Sequence, residues 1–287
     1  MLKSNFAIFI LTHGRADNLD TVRTLKKTNY SGKIYLILDN EDKTVDRYKE
    51  LYSDQVEDII IFDKKEVAKR VDDMSTSKVL NAVVYARNIT WDVARDLKLD
   101  YFLVLDDDYI AFTYRIPNED RSSLLGIGIY NFDEMINQMV EFLENSNALT
   151  ISMSQGGELI GGLNSQVYKN RLARKAMNTF FCKTDRPFKF IGKINEDVNA
   201  YVKEGIRGNL FFTISDLSVV QRETQQNKGG LTDIYLASGT YVKSFYTVMI
   251  SPSSVTVRDM GMASRRLHHR IDWKMTMPQI LNEKYKK

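Results

Sequence analysis

Apolar residues run almost without interruption from Asn5 to Thr12 and stop at His13-Gly14, the pattern of a strand buried on both faces of a parallel sheet. The period then changes. From Asp17 to Lys27, Leu19, Val22 and Leu25 recur at helical spacing, and Asp17 stands where an N-cap is expected. The alternation continues with a strand over Lys33–Leu38, a helix over Thr44–Tyr52 and a strand over Asp58–Phe62. A longer helix is predicted over Lys78–Leu97, with Leu80, Val83, Val84, Ile89, Val93 and Leu97 on its inner face. A fourth strand, Tyr101–Leu105, ends abruptly in Asp106-Asp107-Asp108. Strands alternating with helices predict an α/β fold, a mostly parallel central sheet of right-handed crossovers flanked by helices.

The second half is less regular. Phe132–Leu143 predicts a helix and Ala148–Met153 a strand, followed by a loop with Gly156-Gly157 and Gly161-Gly162. Asn195–Glu204 predicts a short helix, capped by Asn195 and ended by Gly205. Leu210–Ile214, Ile234–Leu236 and Thr240–Ile250 read as β-like. With no internal repeat and no linker-like stretch, one compact unit is expected over residues 1–287.

Composition narrows the class. With 4 Pro and 15 Gly among 287 residues, collagen-like and linker-like classes fall away. The single Cys182 excludes an internal disulfide framework, and no Cys/His spacing fits a structural zinc site. No apolar run approaches the ~20 residues of a membrane span, and no secretory leader precedes the first strand, so a cytoplasmic protein without membrane partners is expected. The net charge of +3 hides a division. Residues 1–150 carry 19 Lys+Arg against 26 Asp+Glu, and residues 151–287 carry 21 against 11. An acidic front and a basic back suit two binding surfaces of different character, although plain solvated surface explains the charges equally well.

The chemistry concentrates at strand ends. In an extended chain Asp106 and Asp108 point one way and Asp107 the other. Two carboxylates converging at the carboxyl end of a parallel strand make a hard-cation site for Mg²⁺ or Mn²⁺ that leaves positions for phosphate oxygens. An acidic turn that merely solvates a strand end is the plainer alternative. Thr12–Arg15 and Asp39 fall at strand carboxyl ends too, so a parallel sheet brings them to the same edge. Gly14 lets the backbone approach a ligand and Arg15 can pair with phosphate, but each also suits a local structural role.

Together these elements resemble the GT-A (Rossmann-like) class of nucleotide-sugar glycosyltransferases: a strand ending in Asp-x-Asp, a preceding helix with Ala86-Arg87-Asn88, the Thr12-His13-Gly14-Arg15 turn and Asp39, in order within residues 5–108. The resemblance implies that Thr12, His13, Gly14, Arg15, Asp39, Arg87, Asn88, Asp106 and Asp107 meet the nucleotide sugar, and that the aspartates hold a divalent cation on its diphosphate. It implies a donor-binding half over residues 1–115 and an elaborated acceptor half over residues 116–287. In this class a Glu-Asp pair at a helix start faces the acceptor, which makes Asp197 the expected general base and Glu196 its alternate. Two acids in a helix's first turn are also favoured by the dipole alone. A late histidine often completes the metal shell in this class, and His268 and His269 are both suitable.

From Tyr168 to Lys193 there are 8 basic residues, including Arg171, Arg174, Lys175, Lys183, Arg186 and Lys189, one acid (Asp185), and interleaved Phe180, Phe181, Phe188 and Phe190. Cations beside aromatics suit exposed nucleobases, although core aromatics with a cationic rim are the commoner arrangement. A narrower resemblance points the same way. Thr-His-Gly-Arg, Asp-Asp-Asp-Tyr, Asn-Glu-Asp-Val and a basic His-containing C-terminal end are similar to the TET-associated and phage DNA glycosyltransferases, which resemble the base J glucosyltransferase. This implies a UDP-sugar donor, a divalent metal and 5-hydroxymethylcytosine or 5-hydroxymethyluracil in DNA as acceptor, met in the cytoplasm of a phage host. The base would leave the duplex stack to react. A glycan, lipid or protein acceptor is the alternative for the same chemistry.

Overall fold

The computed structural model describes residues 2–75, 79–170, 172–221, 242–259 and 267–280. Its centre is a ten-stranded sheet in the order β3-β2-β1-β4-β9-β7-β10-β5-β6. The strands are β1 (Phe6–Leu11), β2 (Lys33–Asp39), β3 (Asp58–Phe62), β4 (Tyr101–Asp106), β5 (Tyr109–Pro117), β6 (Leu124–Gly128), β7 (Thr150–Gln155), β9 (Phe180–Lys183) and β10 (Phe211–Gln221). The short β8 (Leu172–Ala173) pairs with β10 off this path. The first four strands are mutually parallel, and β7 and β10 run the same way. The second half departs from a purely parallel sheet because β9 lies antiparallel between β4 and β7, and β5 antiparallel to β10. A two-stranded ribbon of β11 (Val255–Asp259) and β12 (Leu267–Ile271) stands apart.

Strand periodicity divides the core in two. Phe6, Ile8 and Ile10 of β1 face one apolar cluster with Leu103 and Leu105 of β4. Ala7, Phe9 and Leu11 face the other with Phe102 and Val104. The first cluster is covered by helices α1 (Asp20–Lys27), α2 (Val45–Tyr52) and α5 (Phe132–Ser146), the second by α4 (Val84–Asp96) and α7 (Glu196–Ile206). Two further short helices, α3 (Lys64–Ala68) and α6 (Gln166–Asn170), follow β3 and precede β8.

Four element predictions need correction. The long helix begins at Val84 rather than Lys78; Leu80 and Val83 still pack on the core, from irregular chain. Asp17 does not cap α1 but lies in a 3₁₀ turn, paired with Arg47 at 2.8 Å. Asn195 precedes α7 in the left-handed region (φ 55°) without a side-chain cap, and the helix runs past Gly205 to end before Gly208, at φ 93°. Residues 242–250, here α8, are helical rather than β. Their β-branched and aromatic content suggests a strand, but Ser244, Thr247 and Ser251 are buried and Val248 packs on the core, which is the helical spacing. Ile234–Leu236 lies outside the described residues.

Phe102 joins the sheet to α4, its ring 5.2 Å from Phe9 and 5.6 Å from Trp91. Phe102→Ala leaves a cavity there and is expected to cost ~3–5 kcal/mol in a urea melt.

Candidate active site

Register sets the edge. Leu11 stands opposite Asp106 on one side and Ile37 on the other, so Thr12, Asp39 and Asp106 emerge together where β1, β2 and β4 end. The pleat turns Asp107 inward, where it is 4% exposed. Thr12 Oγ1 donates to its Oδ2 at 2.7 Å and Arg15 Nη1 to its Oδ1 at 2.8 Å. Tyr48, which no sequence pattern singles out, meets Thr12 Oγ1 through its hydroxyl at 2.6 Å and accepts from Arg15 N at 2.9 Å. Asp107 therefore braces the turn after β1, and Arg15, its side chain 29% exposed, carries that carboxylate. Burial raises the Asp107 pKa against the pull of Arg15 and Thr12.

Asp39 is likewise engaged. Its Oδ1 accepts from Lys64 Nζ at 2.8 Å and Glu41 N at 3.0 Å, and its Oδ2 from His13 Nδ1 at 2.7 Å. Burial pushes its pKa up, but the hydrogen bonds from His13 and Lys64 win and hold it below the usual carboxylate value. His13, with a side chain 53% exposed, is the member of this group that presents itself to solvent. The same hydrogen bond raises the imidazole pKa. Lys64 escaped the sequence reading, although a lysine just past the end of β3 stands at this same edge. Gly14 has φ 67° and open space where a Cβ would stand, and its N–H donates to Asp42 at 2.8 Å.

Arg87 is the centre of the second group. Wholly buried on α4, it lies 2.8 Å from Glu196 Oε1 and 3.5 Å from Asp106 Oδ1, with its guanidinium over the rings of Phe180 and Phe190 at 4.9 and 5.6 Å. The Glu196 contact is close but poorly aligned, because neither Nη1 nor Nε makes a well-formed hydrogen bond among the described residues. Arg87 thus bridges the end of β4 and the start of α7 from within. Asn88 is committed elsewhere. Its amide donates to Val84 O at 2.8 Å and Phe190 O at 2.9 Å, and accepts from Phe190 N at 3.1 Å, a clamp on the loop before α7.

Charge at this corner is unbalanced. Asp106, Asp107, Asp108, Glu196 and Asp197 face the guanidinium groups of Arg15 and Arg87, with Lys243 near Asp197. Burial, then Asp106 and Asp107, pushes Asp108 up to about 7. Burial likewise raises Glu196 and Asp197 against Arg87, because one guanidinium serves them and Asp106 together. A shortage of positive charge beside two oxygen donors is what a divalent cation corrects, so Asp106 and Asp108 fit one. His268 and His269 are not gathered with them into a cluster of three or more ligands among the described residues. They lie on β12, and His269 Nδ1 is 3.5 Å from the Asn195 amide, next to Glu196. His268 Nδ1 faces the carbonyl of His269 at 2.9 Å, so it carries a proton and the neutral ring offers the Nε2 lone pair. Burial, then His268 and the cations Lys243 and Lys175, lowers His269 to about 3.

The basic stretch is mostly structural. Tyr168, Phe180, Phe181, Phe188 and Phe190 are all buried. Lys183 pairs with Glu144 at 2.8 Å, and Arg186 with Glu144 at 3.2 Å and the Leu143 carbonyl at 3.0 Å. Lys183 stands opposite Tyr101, the first residue of β4, hence at the edge remote from Asp106. Lys175 is paired with Glu158, and Arg174 donates to the Trp273 carbonyl. Lys189 is exposed, and Arg171 lies outside the described residues. The expected nucleic-acid platform of Lys183, Arg186 and the phenylalanines is therefore corrected to core and rim.

Arg87→Met leaves Glu196 and Asp106 without their shared cation and is expected to lose ~3–5 kcal/mol in chemical denaturation. A second expectation concerns pH. Asp108, Glu196 and Asp197 hold protons more tightly folded than unfolded, so their ionisation removes stability as pH rises through the folded values. Neutral His269 acts in the opposite sense, with its effect complete above pH ~6.5. Between pH 6.5 and 8 the melting temperature of the metal-free chain should fall, and Asp108→Asn should flatten that slope; an unchanged slope in the variant contradicts the assignment.

No curated protein sequence matches this one. Among solved structures, glucosyl-3-phosphoglycerate synthase from Mycobacterium tuberculosis, in complex with Mn²⁺, UDP and glucosyl-3-phosphoglycerate, superposes with TM-score 0.47 at 7% identity, over 94% of this chain and 87% of that one. The same enzyme with Mn²⁺, UDP-glucose and glycerol 3-phosphate gives 0.47 at 10%, over 95% and 91%. Among the described residues no helix is long and apolar enough to cross a membrane. The sequence matches the TET-Associated Glycosyltransferase family over residues 6–230, and the chain belongs to that family.

Proposed function

We propose that this protein moves a sugar from a UDP-sugar to the hydroxymethyl group of 5-hydroxymethylcytosine or 5-hydroxymethyluracil in DNA, with a divalent cation, Mn²⁺ or Mg²⁺. The observation that carries the reading is the corner where five carboxylates face two guanidiniums and Lys243, with the start of α7 beside the end of β4. Residues 1–115 supply the donor side and residues 116–287 most of the acceptor side. Family membership supports glycosyl transfer, and the motif resemblance to the TET-associated and phage DNA glycosyltransferases supports the acceptor.

Asp106 and Asp108 would hold the cation; neither histidine is gathered with them among the described residues, so a nitrogen from His268, whose Nδ1 proton leaves Nε2 free, would have to be brought to it. When bound, the cation neutralises charge on the diphosphate as it departs. His13 meets the nucleotide from its exposed position, braced by Asp39 and Lys64. Arg87 engages Glu196 and so fixes the first turn of α7. Asp197, whose Oδ1 accepts from its neighbour Val198 N at 2.7 Å, serves as base. Burial raises its pKa, which favours uptake of a proton. The acceptor oxygen gives its proton to Asp197 and bonds to the anomeric carbon, while the bond from that carbon to UDP breaks and its electron pair leaves with the diphosphate. Such DNA would be met in the cytoplasm of a phage-infected cell.

Mass spectrometry of hydroxymethylated oligonucleotides after incubation with a panel of UDP-sugars and Mn²⁺ should show one added hexose or pentose per modified base. Asp197→Asn should lower kcat by ~10²–10⁴-fold while UDP binding persists. A panel with no mass increase on DNA, but transfer to a glycan, lipid or protein, overturns the acceptor.

A further inference from the structure

The far end of α7 closes a second concavity. A cavity of about 140 Å³ lies among Arg174, Tyr201, Gly205, Gly208, Trp273 and Met277. One wall is flat: the Tyr201 and Trp273 rings stack with centroids 5.9 Å apart and planes at 20°, and the Arg174 guanidinium lies 5.7 Å from the Trp273 ring centre. Trp273 nevertheless remains 37% exposed. Glycine shapes the opposite side. A Cβ on Gly205 would come 2.9 Å from the Thr276 carbonyl oxygen, and Gly208, at φ 93°, would bring one 3.2 Å from Pro278. The 276–278 segment thus packs directly on the glycine backbone.

Chemistry and position name the occupant. A planar wall of Trp, Tyr and Arg suits a heteroaromatic ring. Arg174 lies in the wall, Lys274 follows Trp273, and Arg207 lines an adjoining groove that shares Met277 and Pro278. The nearby acids are already engaged: Glu204 by Arg207 at 3.0 Å and Asn209 at 2.7 Å, and Asp272 by the backbone N–H of Lys274 at 2.9 Å. That rim complements a phosphodiester. Tyr201 follows Asp197 by four residues, ~6 Å along the helix, less than two base steps of a strand. Asp197, Asp106 and Asp108 do not line the cavity, so a base held there is a neighbour of the one that reacts.

We propose that this cavity binds a nucleobase of the acceptor DNA next to the glycosylated one, stacked on Trp273, with its phosphate on Arg174 and Lys274. The inference rests on the DNA acceptor proposed above.

The chain has 2 Trp, and Trp91 is buried in the core, so solvent-responsive emission reports Trp273. Titrating the full chain with a hydroxymethylated oligonucleotide should quench that emission. An abasic site beside the modified base should reduce the quench. Trp273→Ala should raise the KM for DNA by ~10-fold or more, with the KM for UDP-sugar as internal reference, and Trp273→Phe should recover most of the loss. If the wild type glycosylates DNA while Trp273→Ala keeps the same KM for it and the emission never changes, the cavity is not a base site. Quenching by UDP-sugar alone would place the donor there and overturn the assignment. If the wild type neither binds nor modifies DNA, the acceptor reading fails first and this inference with it.

Discussion

A single buried guanidinium ties the two halves of the molecule together. Arg87 enters from α4, lies over Phe180 and Phe190, and faces Asp106 from the first half and Glu196 from the second. An unpaired charge at that depth would cost several kcal/mol, so β4 and α7 must both arrive there for the fold to close. The same guanidinium acts on Asp197 as well as on Glu196 and Asp106, so positive charge is short toward Asp108.

The sheet explains how so few residues are positioned so tightly. Parallel strands β1, β2 and β4 put their carboxyl ends at one edge, and the Thr12–Asp107–Arg15 and His13–Asp39–Lys64 contacts lock the turns that follow. The antiparallel β9 then carries the chain back from that edge, and the Asn88 clamp on Phe190 sets the return path into α7. Many of the polar groups at this edge brace one another; His13 stands exposed, while Asp106 and Asp108 are half-buried.

The sequence made β1 to β4 and the Asp106–Asp108 strand end legible, because a near-continuous apolar run bounded by turn residues is a local signal. It did not reveal that Asp107 would meet Arg15, or that Asp39 would meet Lys64, since both depend on register between segments separated in the chain. The basic stretch misled for a related reason. Interleaved phenylalanines and lysines look alike whether the aromatics stack on bases or face a core, and only the pairing of β9 with β4 shows that Phe180 and Phe181 lie inside. Residues 242–250 show how β-branched composition gives way to tertiary burial of Ser244 and Thr247.

The cation corner is open to direct test. Anomalous diffraction at the manganese edge, from crystals grown with Mn²⁺ and UDP, locates the metal directly. A peak within coordination distance of both Asp106 and Asp108 and of a UDP phosphate oxygen is the predicted result. A crystal with UDP bound and its manganese elsewhere, or with those two carboxylates turned away from the nucleotide, would contradict it.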